Sequence, residues 1–177
     1  MPETIARVDS NIRRYRARFC KHFLYVELLL AAVCNSSPNI CFALGLDETE
    51  PFLEMKGAAI GRVSNATLRR DELLAKLEQS LGGTVRCIGT GPMDTKRIGI
   101  VTGGAGGEIH AAAGQGIDTY ITGEAPHWAA VAAEELGINL FLGGHYATET
   151  FGVKVLAADL AEKFEVPWEF LDHPTGL

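Results

Sequence analysis

Residues 97–142 read RIGIVTGGAGGEIHAAAGQGIDTYITGEAPHWAAVAAEELGINLFL. Three short apolar runs, Arg97–Thr102, Asp118–Thr122 and Ile138–Leu142, alternate with two stretches of helical composition, 108–113 and 126–136. Glycine punctuates the junctions: Gly103, Gly104, Gly106 and Gly107 after the first run, Gly114 and Gly116 before the second, Gly123 after it and Gly137 before the third. Short β-rich runs bounded by glycine read as strands, and apolar stretches of about ten residues between them read as helices. Strands alternating with helices at this spacing predict βαβ units and therefore parallel pairing.

Working outward, Ala58–Val63 predicts a strand. Thr67 is placed to cap a helix reaching Leu81, with Leu68, Leu73, Leu74, Leu77 and Leu81 at helical spacing and Gly82-Gly83 as its stop. Thr84–Gly89 predicts another strand, 147–164 a long helix, and Trp168–Leu171 a last strand. The acidic stretch Leu46–Lys56, which contains Pro51, reads as a linker. The expected class is α/β, a mixed and mostly parallel sheet flanked by helices. Neither a fixed-period repeat nor a low-complexity tract is present.

Composition bounds what the chain does. Its 177 residues, 47% hydrophobic and 21% charged, suit one ordinary domain or two small lobes sharing a core. A chain of this length buries roughly 70% of the surface its unfolded form exposes, so it needs no disulfide or metal to fold. Cys20, Cys34, Cys41 and Cys87 form no CxxC pair and no zinc-ribbon spacing, so free thiols in a reducing compartment, the cytoplasm, are expected. The net charge of −6 disfavours nucleic acid as a partner. The longest apolar stretch, Phe23–Cys34, is interrupted by Glu27; it is too short for a bilayer and suits a buried helix, so no membrane partner is expected.

The charge is unevenly spread. Up to His22 six basic side chains face two acidic ones, a net +4 that leaves −10 for the remainder. The segment reads as the solvated face of a basic helix, with a targeting peptide as the lesser reading. Three of the four cysteines also precede residue 42, so composition changes there in two independent ways.

In open α/β sheets, ligands collect at the carboxyl ends of parallel strands. Three segments of the chain fall there. In the first, the glycines Gly103, Gly104, Gly106 and Gly107 either hold an anion on backbone N–H groups or make a tight strand-to-helix turn. In the second, Glu124 and His127 lie three apart after a strand. They suit acid/base work or metal binding, or else Glu124 caps the following helix and His127 is exposed. In the third, His145 and Glu149 are four apart, so on a helix they share one face. They are a candidate pair of metal ligands, with an ordinary surface pair as the alternative.

The string Gly143-Gly-His-Tyr-Ala-Thr-Glu149, with Gly152-Val153 behind it, resembles the Nif-three-like family, whose members are called GTP cyclohydrolase I type 2 homologues. Gly116–Glu124, Ile98–Gly107 and the ending Asp172-His-Pro-Thr-Gly176 resemble it as well, in the same order. The resemblance covers 42–177, leaving 1–41 as an atypical N-terminal helical segment. It implies an α/β fold with a two-metal centre inside a ring-like homo-oligomer, commonly a hexamer. In that family an adjacent histidine pair and an aspartate from the N-terminal half hold the metals together with the histidine and glutamate of the late motif, which correspond to His145 and Glu149. Here no two histidines are adjacent, and no aspartate lies between Asp9 and Asp47. The expectation is a truncated or altered family member with an incomplete centre.

Two functions follow from this reading. One is a metal-dependent hydrolase of a nucleotide-like or phosphorylated small molecule. It would use zinc, manganese or iron, one ion or none in place of two, with His145 and Glu149 as ligands and Glu124 or His127 as acid/base. The other is a non-catalytic binding or scaffold protein.

Overall fold

The computed structural model describes residues 36–55 and 57–174. The basic N-terminal helix face, the buried helix over Phe23–Cys34 and the thiols of Cys20 and Cys34 lie outside the described residues.

The described chain begins with helix α1 (Ser36–Ala43), followed by strands β1 (Glu50–Met55), β2 (Ala58–Ser64) and the short β3 (Leu68–Arg69). Helix α2 (Arg70–Leu81) leads to β4 (Arg86–Gly89), the short β5 (Asp94–Thr95) and β6 (Ile98–Ile100). A 3-10 turn, Ala105–Glu108, enters α3 (Ile109–Gly114); then come β7 (Thr119–Thr122), α4 (Trp128–Leu136), β8 (Asn139–Leu142) and α5 (His145–Phe164).

Six strands form one mixed sheet in the order β1-β2-β6-β7-β8-β4, flanked by helices, which is the α/β class that the alternation predicts. The sheet is mixed but not mostly parallel, as the alternation led us to expect. Among the described strands only β6-β7 and β7-β8 pair parallel, while β1-β2, β2-β6 and β8-β4 pair antiparallel, because the flanking strands do not belong to βαβ units. Because alternate residues of a strand face opposite sides, Tyr120 and Leu140 pack with Ile109 and Ala112 of α3 and Ala129, Ala132 and Ala133 of α4. Their neighbours Ile121 and Phe141 join Ile98 and Ile100 under Leu73 and Leu77 of α2 and Ile40 and Cys41 of α1. The alanines of α4 bring that helix close to the sheet. Ile40 and Cys41 are buried together with Leu44, so this core runs across the composition break at residue 42.

Four local expectations are corrected. The stretch 46–56 is not a linker, since it holds edge strand β1, paired with β2. Pro51 is tolerated there because an edge strand has one side without ladder bonds, and Phe52 is buried edge-on against Tyr120 at 6.3 Å. Thr67 caps nothing. Leu68 pairs with Thr95, and α2 starts at Arg70 behind Arg69, which makes no side-chain cap bond. Asp71 and Glu72 in its first turn complement the helix dipole instead. Trp168–Leu171 forms no ladder, for reasons given below. Finally, the last helix begins at His145, two residues earlier than its apolar pattern suggests.

Cys41 and Cys87 are free thiols. No helix among the described residues is long and apolar enough to cross a membrane.

Candidate functional site

The carboxyl ends of β6, β7 and β8 point the same way because the strands are parallel, and the loops that leave them are stitched together by backbone bonds. The carbonyl of Gly103 accepts N–H bonds from Gly123 and Glu124, each 3.0 Å, and the Thr122 hydroxyl at 3.2 Å. Gly143 donates to the Thr122 carbonyl (2.9 Å) and Gly144 to the Gly123 carbonyl (2.8 Å). Thr148, in the first turns of α5, accepts the Gly103 N–H at 3.1 Å and donates to the Gly144 carbonyl at 2.9 Å. Three loops far apart in sequence thus act as one rigid rim.

On this rim His145 lies between two carboxylates. Its Nδ1 is 2.8 Å from Glu124 Oε1 and its Nε2 3.3 Å from Glu149 Oε1. The second contact is the i,i+4 pair that the motif spacing anticipates. The first joins residues from two different strand ends. The hydrogen bond to Glu124 holds the imidazole's pKa above its ordinary value; slight burial opposes this, and the charges of Glu149 and Glu124 add to it. The three side chains are 41–55% exposed, so the cluster is open to solvent.

The glycines are explained by crowding. Gly103 has φ of +70°, and a Cβ there would collide with Glu149 Oε1 and lie 3.2 Å from His145 Nε2. One on Gly104 would lie 3.2 Å from Glu124 Oε1. Gly106 abuts Ala125, and Gly107 faces open space. Gly103 and Gly104 are therefore the floor beneath the cluster, and their nearest side chains are acidic. His127 is exposed at the start of α4 and, among the described residues, makes no hydrogen bond or ion pair. The structure brings Glu124, His145 and Glu149 together and leaves His127 outside that hydrogen-bonded set.

Sequence reasoning missed the supports. Thr148 is only 1% exposed and ties the motif helix to the glycine loop. Ser36 of α1 donates to the Glu149 carbonyl at 3.0 Å and accepts the Gly152 N–H at 2.9 Å. The signal for Thr148 was its place between His145 and Glu149, where a hydroxyl in a helix's first turns bonds backbone rather than solvent. Nothing local marks Ser36.

One imidazole and two carboxylates are the nitrogen and oxygen donors that zinc, manganese and iron accept. A ligating histidine gives one nitrogen to the ion and is oriented through the other by a carboxylate. His145 fits that pattern: Glu124 holds Nδ1, leaving Nε2 beside Glu149 to hold an ion. Among the described residues no three histidine, cysteine, aspartate or glutamate side chains are arranged to share one ion. His145 and Glu149, the two candidate ligands, are therefore fewer than the three or four protein ligands usual for zinc.

Residues 35–175 match the family described as Duf34/NIF3 (NGG1p interacting factor 3). A Deinococcus radiodurans protein named GTP cyclohydrolase 1 type 2 homolog is 39% identical over 147 residues, which is 81% of this chain and 55% of that protein. Its namesake in Pyrococcus horikoshii is 39% identical over 180 residues, 95% of this chain and 72% of that one. Among solved structures, the protein ybgI superposes with a TM-score of 0.72 at 28% identity, covering 79% of this chain and 56% of its own. TTHA1606 from Thermus thermophilus gives 0.68 at 33% identity over 78% of this chain and 55% of its own. The chain thus spans little more than half the length of the Deinococcus relative and of both solved structures. With the match running through both cores and all three rim loops, this chain belongs to the Duf34/NIF3 family.

Proposed function

We propose that His145 and Glu149, with Glu124 orienting the imidazole, hold a divalent ion and support hydrolysis of a nucleotide-like or phosphorylated small molecule. The observation that carries this reading is His145 held between Glu124, just beyond β7, and Glu149 of its own helix, at the rim where α/β sheets bind ligands. His145 and Glu149 are the ligands. Glu124 fixes the imidazole and is the acid/base group nearest them. A bound divalent ion would lower the pKa of a water and polarise a phosphoryl or carbonyl oxygen. With Glu124 and Glu149 ionised, the floor at Gly103 and Gly104 repels anions. A substrate phosphate would therefore be held there only when positive charge offsets the carboxylates. The family resemblance adds a homo-oligomeric assembly and a cytoplasmic setting to this reading.

Metal content tests it. The full chain is purified without chelator, incubated with zinc or manganese and freed of excess ion, and the metal per chain is measured by elemental analysis. About one equivalent is expected, lost in both His145→Ala and Glu149→Ala. Variants that keep their metal would overturn the assignment to this site, and folded protein that stays empty would overturn it in favour of a non-catalytic binding protein.

A further inference from the structure

Residues 165–174 form no strand, helix or ladder, and the ending Asp172-His173-Pro174 has no part in the cluster above. Three contacts nevertheless fix the course of this segment. Helix α5 ends at Phe164, and Glu165 takes a left-handed conformation (φ 52°, ψ 42°) that reverses the chain, with the Val166 N–H on the Ala161 carbonyl at 3.1 Å. Phe170 lies under Lys154, halfway back along the helix, with Nζ 4.4 Å from the ring centroid. Tyr146, in the first turn, donates its hydroxyl to Asp172 Oδ1 at 2.9 Å and accepts the His173 N–H at 2.8 Å. Geometry agrees: Tyr146 to Phe164 spans about 27 Å of helix, and the eight steps from Phe164 to Asp172 reach about 26–29 Å only if nearly straight. That extension explains why the sequence reads as a strand where no ladder exists.

We infer that residues 165–174 are a return strap whose clasp on Tyr146 positions the first turn of α5, and with it His145. A helix N-terminus leaves its first N–H groups without intrahelical partners and frays unless capped. Gly144, the cap residue of α5, has φ of +89° and makes no side-chain cap bond. The turn that carries His145 is therefore tied on its inner side by Thr148 and on its outer side by the Tyr146 clasp. Tyr146 and Asp172 are positioning residues, since neither belongs to the hydrogen-bonded cluster itself. Their consequence for metal binding rests on the function proposed above; the strap itself does not.

The test compares Tyr146→Phe, Asp172→Ala and Asp172→Asn in the full chain, by amide hydrogen exchange without metal and then by zinc titration. Tyr146→Phe and Asp172→Ala should speed exchange over residues 148–151, whose N–H groups bond the cap and first-turn carbonyls, by about fivefold or more, the worth of one to two exposed hydrogen bonds. Asp172→Asn keeps an oxygen that accepts the tyrosine hydroxyl and should match the wild type. Unchanged exchange in the first two variants would overturn the strap, as would Asp172→Asn behaving like Asp172→Ala, or an increase spread equally over β7 and β8. Where the clasp matters to the site, zinc affinity of Tyr146→Phe falls by a similar factor. Altered exchange with no zinc binding in any variant keeps the strap and removes the metal assignment.

Discussion

Two acidic regions of this molecule differ in what surrounds their charge. One is a hollow lined by Gly45–Glu50 and Val63–Ala66, which presents Asp47, Glu48 and Glu50. None of these carboxylates makes a side-chain hydrogen bond or ion pair among the described residues, and the nearby Arg62 guanidinium bonds Thr49 instead, at 2.6 Å to its carbonyl. At the rim of β6–β8 each group is instead held by a neighbour: Glu124 by His145, the Glu149 backbone by Ser36, and the glycine floor by Thr148. Room and negative charge are common on protein surfaces. Convergence of side chains held in place by a supporting layer is what prepares a site for chemistry.

Substitutions can break this contrast. Gly123→Ala should have the largest effect, because a Cβ there would meet the Gly103 carbonyl and Thr148 Oγ1 at 2.6 Å and His145 Cα at 2.8 Å. Two of these are backbone atoms that cannot yield cheaply, so a loss of about 3 kcal/mol or more is expected in urea unfolding. Thr148→Val leaves the buried Gly103 N–H without its partner and should cost about 1–3 kcal/mol, while weakening metal binding through the displaced loop.

Alkaline pH acts on the other side of the sheet. Burial pushes the Cys41 thiol from 9.0 up to about 11, with Arg62 opposing weakly. Between those values the unfolded chain has released the proton and the folded chain has not. The stability linked to this thiol is therefore undiminished below pH 9 and falls as pH rises toward 11, by about 3 kcal/mol in all. Cys41→Ala should remove that part of the slope in unfolding measured from pH 8 to 11. The rim should show no matching local opening by amide exchange.

The smallest effects sharpen the contrast from the opposite direction. Gly107→Ala, with open space around it and no left-handed φ, should change stability by less than about 1 kcal/mol, although it sits in the same glycine run as Gly103. Glu48→Gln in the hollow should leave zinc content unchanged. A metal lost in Glu48→Gln but kept in His145→Ala would reverse the assignment of the two regions.

Much of this was written locally. The runs around Ile98–Ile100, Thr119–Thr122 and Asn139–Leu142 are short, apolar and bounded by glycine, so their strand character and their parallel pairing follow from pattern alone. The His145–Glu149 spacing likewise dictates a shared helix face, and the motif around it marks the family. What failed locally failed for tertiary reasons. Leu68 was claimed by Thr95 rather than by the helix its spacing suits, and β1 arose from a stretch whose acidity and proline read as linker but whose Phe52 found a place over Gly61 and Gly99. Trp168–Leu171 had strand composition but pairs with no strand among the described residues.

Sequence by itself determined the α/β alternation, the rim glycines and the late motif, because backbone preference and burial periodicity are properties of neighbouring residues. Only the tertiary structure decided that Glu124, 21 residues upstream, completes the grip on His145 while His127 stands apart, and that Thr148 and Ser36 brace the helix that carries it. Those contacts depend on how parallel strands bring their ends together, and that convergence is set by the packing of the whole sheet between its helices.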